Sequence, residues 1–104
     1  MKINGINWKV KFTDRVDDLY LDGYVRLGVT DRNTHTIYLD ENLNGGMLKK
    51  VLLHELTHAW IFSYGYEMDV EAEEFLCSFV DSHAEEIFDK ADVLLSEMPQ
   101  NRAF

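Results

Sequence analysis

The stretch MLKKVLLHELTHAWIF, residues 47–62, is the one from which the rest of the chain can be read. Leu48, Val51, Leu52, Leu56, Ala59 and Trp60 recur at helical spacing, which predicts a largely buried helix. Gly45-Gly46 before it and Gly65 after it are its expected breakers. Inside it, His54-Glu55-Leu56-Thr57-His58 puts two imidazoles four residues apart, on one helix face and about one turn from each other. That separation lets both bind one tetrahedral Zn²⁺. Glu55 follows the first histidine, so its carboxylate stands beside such an ion, free to take a proton from a water rather than to ligate. The chain has only four histidines, and two of them are here. A polar His-Glu-Thr-His group in an apolar helix is costly unless metal or hydrogen bonds satisfy it.

The flanking sequence builds one domain of 104 residues around this helix. Ile6, Trp8, Val10 and Phe12 alternate with polar residues, so Ile3 to Thr13 reads as a strand. Asp14 to Gly23 fits either a short helix or a loop. Tyr24 to Thr30 and His35 to Leu39 are β-like runs around the turn-rich Asp31-Arg32-Asn33-Thr34, which predicts a hairpin. Asp69 is the expected N-cap of a second long helix, with Glu71, Glu73 and Glu74 in its positive first turns. Phe75, Leu76, Phe79, Val80 and Ile87 are its expected apolar face. Pro99 ends it, and the tail Gln100 to Phe104 is expected to fray. The fold class is therefore α+β, a small antiparallel sheet of about three strands packed on two long helices, with a cleft between the sheet edge and the motif helix.

Composition narrows the partners. A net charge of −9 disfavours direct binding to phosphate backbones. No segment has the apolar length to span a bilayer, and the N-terminus has no signal-peptide pattern. Cys77 is the only cysteine, so no intrachain disulfide is possible and a reducing, cytoplasmic setting is expected. It reads as an inward-facing small hydrophobe.

A catalytic zinc needs a third protein ligand and an open position for water. The second helix is its natural source. Glu73 shares a face with Leu76, Val80 and Ile87, whereas Glu74 aligns with Ser78, Asp81 and Glu85, so Glu73 is preferred and Glu74 is the alternative. His83, ten residues past Glu73, is about 15 Å further along a straight helix and cannot join it on one ion. His35, Tyr64 and Tyr66 are candidates for stabilising an oxyanion, against plainer roles in turn or core packing.

The runs TIYLDENLNGGMLKKVLLHELTHAW and EEFLCSFV, within Tyr24 to Ile87, resemble the small phage and mobile-element zinc metallopeptidases of the ImmA/IrrE type, among the gluzincin-like zincins. The resemblance implies His54, His58 and Glu73 as zinc ligands and Glu55 as general base. It also implies hydrolysis of a protein or peptide substrate, such as a phage or mobile-element regulator, in the host cytoplasm. The chain departs from that pattern in LCSFV, where the family has a small-residue run, and in lacking helix-turn-helix and sensor segments. SprT-like peptidases are a second resemblance, but they use a histidine as third ligand. A rival expectation is a zinc-binding, non-catalytic protein-interaction module derived from a peptidase.

Overall fold

The computed structural model describes residues 1–99; the tail from Gln100 lies outside them. The chain opens with a two-pair ribbon, β1 (Lys2–Ile3) and β2 (Ile6–Asn7), turning at Asn4-Gly5. Both turn residues have positive φ, 48° and 78°, the requirement of a type I′ hairpin turn, which Asn-Gly meets best. β3 (Lys9–Thr13) follows as a separate strand, so the single strand expected over Ile3 to Thr13 is broken. Trp8, at the break, is buried, and its indole N–H donates to Ser63 Oγ at 2.8 Å.

The expected short helix or loop after Thr13 is both: a one-turn helix α1 (Val16–Leu19) leads into a second ribbon, β4 (Tyr20–Leu21) and β5 (Tyr24–Val25), turning at Asp22-Gly23. β6 (Gly28–Asp31) and β7 (Thr36–Asp40) form the expected antiparallel hairpin. Its turn is held by Asp31 Oδ1, which accepts from the backbone N–H of Asn33 at 2.9 Å.

The main sheet has three strands, ordered β3-β7-β6. It is mixed rather than antiparallel, because β3 pairs in parallel with β7, Val10 opposite Ile37 and Phe12 opposite Leu39. The intervening α1, β4–β5 ribbon and β6 form a connection long enough to return the chain in the same direction. Central β7 supplies the buried Ile37 and Leu39, which meet Ile3, Trp8 and Ala59 with Leu48, Val51, Leu52 and Leu56 around them. Each fully buried aliphatic side chain of this kind contributes about 1.5–3 kcal/mol.

The motif helix, α2 (Gly45–Ser63), lies on the sheet through this core. Gly65, at φ 69°, closes it: its N–H bonds to Phe62 O and that of Tyr66 to Ile61 O, the paired bonds of a left-handed C-terminal cap. Trp60 is not part of the core but half exposed, stacked on Tyr64. α3 (Val70–Ser96) starts at Asp69, whose Oδ1 accepts from Ala72 N at 2.8 Å. It packs on α2, but not through the expected apolar face. Phe75 is 72% exposed, and Leu76, Phe79 and Ile87 are also exposed. The face turned to α2 carries Glu73, Cys77 and Asp81 instead. α3 contacts little besides α2, so its remaining sides stay in solvent.

Candidate metal centre

α2 and α3 meet through an unusual set of side chains for a helix pair, and the geometry follows from spacing alone. His54 and His58 are one turn apart on α2, with ring centroids 5.1 Å from each other. On α3, Glu73, Cys77 and Asp81 are spaced by four, so all three face the histidines, with Glu74 at the rim. His54 Nδ1 lies 2.8 Å from Asp81 Oδ2, and His58 Nδ1 lies 2.5 Å from Glu73 Oε2. The outer nitrogens converge on one group: Glu74 Oε2 is 3.2 Å from His54 Nε2, and Glu74 Oε1 is 3.0 Å from His58 Nε2.

The charge states of the two anchors fix the tautomers. Burial pushes the Asp81 carboxyl up, but hydrogen bonds from Lys50, His54 and Ser82 outweigh it and hold it below the usual carboxylate range. Burial likewise raises Glu73, and Arg32 and His58 outweigh it. An ionised carboxylate only accepts, so each Nδ1 carries the proton it donates. Each Nε2 then presents a lone pair toward an oxygen of Glu74. Lone pair facing lone pair is repulsive, so the contact needs a proton between the groups or a metal ion. Carboxylates holding Nδ1–H while Nε2 stays free is the arrangement that orients histidines as metal ligands. The donor set thus fits a metal ion.

Cys77 lies beneath. It is fully buried, and one ligand atom from each of His54, His58 and Cys77 lies within 4.8 Å of the others, a triad that could itself hold a metal. Burial, then the charges of Glu74, Glu73, Glu55 and Asp81, push its thiol up to about 12. A coordinating cysteine must be a thiolate, so in the metal-free chain this group is poorly prepared to ligate.

Glu55 is buried against the sheet edge, where its Oε1 accepts from Thr30 Oγ1 at 2.8 Å. Its pKa is raised, chiefly by burial, against the opposing pull of Thr30 and the two histidines. The approach of β6 to α2 at this point needs Gly28: a Cβ there would lie 2.8 Å from Val51 Cγ1 and 2.9 Å from Glu55 Cγ. Two clefts flank the centre, of about 510 and 390 Å³, and both are lined by Leu21, Glu55, His58, Val70 and Glu74. The two clefts share these residues of the cluster as a common wall.

The structure therefore gathers His54, Glu55, His58, Glu73 and Glu74 into one place. It leaves the other candidates out. His35, at φ 50°, packs between Trp8 and Phe62 with centroids at 5.2 and 5.7 Å. His83 sits against Phe79, and Tyr64 and Tyr66 stack on each other in solvent. Asp81, Lys50, Arg32 and Thr30 were not singled out from the sequence. Asp81 had a signal, lying two turns past Glu74 on the same helix face; Arg32 and Thr30 reach the centre from β6 and its turn, through tertiary contacts that no spacing encodes.

Comparison with protein-family models, with characterised proteins and with solved structures gives no significant match.

Proposed function

We propose that the chain is a zinc-dependent peptidase of the HExxH type, similar in its centre to the ImmA/IrrE peptidases. The observation that carries this reading is the convergence of both Nε2 atoms on Glu74, with buried Glu55 alongside, lining both open clefts. His54, His58 and Glu74 would hold the ion. Glu73 then serves a different purpose from the one its sequence position suggests: it anchors His58 through Nδ1, as Asp81 anchors His54. Glu74 is also the more accessible of the two, with its side chain 52% exposed against 11% for Glu73. That exposure suits a catalytic site, which keeps a position open to water and substrate. The Cys77 triad draws on a fully buried thiol whose pKa is raised, and it suits a catalytic ion less well than the carboxylate.

When bound, Zn²⁺ supplies a Lewis acid that polarises the scissile carbonyl and makes water acidic enough to deprotonate near neutral pH. The residues of the chain do the rest. Glu55 accepts the proton of the attacking water, and its raised affinity for protons makes it a better base than an exposed carboxylate. It then gives that proton to the leaving amine as the peptide bond breaks. Thr30 holds the carboxylate in place throughout. Open clefts on either side of the cluster, rather than one closed cavity, favour a protein or peptide substrate over a small enclosed ligand.

The test is Glu55→Gln, with cleavage of a broad peptide mixture read by mass spectrometry at equal zinc content. The variant should keep one zinc per chain and lose about 10²–10⁴-fold in rate, the usual worth of a general base. Equal rates in the two proteins would refute the mechanism. Bound zinc with no cleavage by either would favour the non-catalytic interaction module.

A further inference from the structure

β3 stands at one end of the main sheet, ordered β3-β7-β6, away from the strand that approaches the metal centre. Its backbone is paired on one side only. Lys9 N–H donates to His35 O, and Thr13 O accepts from Glu41 N–H, both at 3.0 Å. Backbone groups alternate sides along a strand, so Lys9, Lys11 and Thr13 bond β7, while Val10 and Phe12 turn N–H and C=O outward. One residue earlier the outward side is occupied, because Trp8 N–H donates to Met1 O at 2.8 Å. Past Trp8 no strand among the described residues pairs there. Side chains alternate as well. Val10 and Phe12 lie opposite Ile37 and Leu39, on the core face, yet are 42% and 57% exposed. Lys9 and Lys11 are exposed on the other face, and among the described residues neither joins an ion pair. An open edge of this kind is a template for another strand.

We propose that the outer edge of β3 receives an extended acidic segment of a partner protein as a fourth strand of the main sheet. The backbone sets the occupant's conformation: outward donors and acceptors at alternate residues are satisfied by a strand and not by a helix. The two faces set its alternation, with apolar side chains opposite Val10 and Phe12 and acidic ones opposite Lys9 and Lys11. Opposite charges across a strand pair attract and like charges repel. The first thirteen residues hold three lysines and no carboxylate, in a chain of net charge −9. Carboxylates begin at Asp14, past the end of β3, so the register that suits an acidic segment is the one centred on the lysines. The same charges exclude a second copy. In an antiparallel pair Val10 and Phe12 must meet their own kind, which leaves three registers. Centred on Val10 or on Lys11, lysine stands opposite lysine; centred on Phe12, Lys9 stands opposite Arg15. The lysines therefore guard the edge against self-pairing and admit an acidic strand. The proposal stands independently of the metal centre.

The experiment is fluorescence anisotropy of the full chain with a labelled peptide of about eight residues alternating Glu and Val. It should bind at least about tenfold more tightly than its Lys–Val counterpart. Of its two forms N-methylated at alternate amides, only one should bind, since only one edge of the peptide meets β3. Lys9→Glu with Lys11→Glu, at exposed positions, should reverse the preference toward the Lys–Val peptide. Val10→Pro removes one outward donor and leaves the bonds to β7 in place; it should weaken binding at least about tenfold with unchanged circular dichroism. Absence of binding by the Glu–Val peptide, equal binding of the Glu–Val and Lys–Val peptides, or equal binding of both methylated forms overturns the proposal. So does a preference for Glu–Val retained by the double variant, or unchanged affinity in a folded Val10→Pro protein. A dimer in sedimentation that Val10→Pro dissociates overturns it too, since the edge would then be taken by another copy of this chain.

Discussion

In the proposed centre two adjacent glutamates on α3 take different parts, and single side-chain changes can separate them. Glu73 is buried, bound by Arg32 and by His58 Nδ1; Glu74 is half exposed and faces both Nε2 atoms. Neighbours on a helix point about 100° apart, so they cannot exchange places without rotating α3. Glu74→Ala should therefore abolish stoichiometric zinc binding. Glu73→Gln, which keeps shape and an acceptor oxygen, should cost about 10–100-fold in affinity, the usual effect of removing a ligand's anchor. Zinc titration by competition with a chromophoric chelator distinguishes them, and the reverse order would return the ligand role to Glu73. Sequence spacing preferred Glu73 because it shares the apolar face of α3, whereas α3 meets α2 through polar groups and buried Glu73 bonds His58 Nδ1, which is why Glu74 is the ligand proposed here.

At the scale of elements, the closest approach is between β6 and α2, and it decides where Glu55 stands. Gly28→Ala would force a Cβ against Val51 and Glu55 in a packed seam. Overpacking of this kind costs about 1–3 kcal/mol. The denaturation midpoint should fall accordingly, and peptide cleavage should fall further than the lost stability explains. A variant with unchanged midpoint and activity would show that the seam can open freely. Most of this element's surroundings were legible beforehand. α2, its glycine stop at Gly65, the Asp69 cap and the β6–β7 hairpin all follow from local chemistry within a few residues. The two tight ribbons also had a local signal, Asn4-Gly5 and Asp22-Gly23, but the alternation of Ile6 to Phe12 and the acidic run before Gly23 masked it. The direction of β3 was not legible, because parallel pairing with β7 is set by what the intervening chain does. The face of α3 was misread because apolar periodicity marks burial only where a neighbour exists, and for much of α3 none does.

At the scale of the molecule, the radius of gyration is 16.4 Å, against about 13 Å for a compact chain of this length. The described chain is elongated, 53 Å in its longest dimension, with α3 overhanging α2 at one end. No helix among the described residues is long and apolar enough to cross a membrane. The proposed centre draws only on Gly28 to Asp81, and its helix pair and hairpin are neighbours in sequence. The N-terminal ribbon is different. It is fastened to the far end of α2 by Trp8 on Ser63 Oγ and by Asn4 on Ser63 O, bonds that span 55 and 59 residues. Contacts that close such long loops carry the larger entropic cost and form late. The order of assembly follows. The helices and hairpin should reach native-like backbone signal first, and the amino-terminal segment should dock afterwards as a latch, completing the core around Ile37. In stopped-flow refolding with Trp60 replaced by Phe, Trp8 emission should lag behind far-ultraviolet ellipticity. If the two signals rise together, the latch forms with the nucleus, and early residues would then steer folding of a site they never touch.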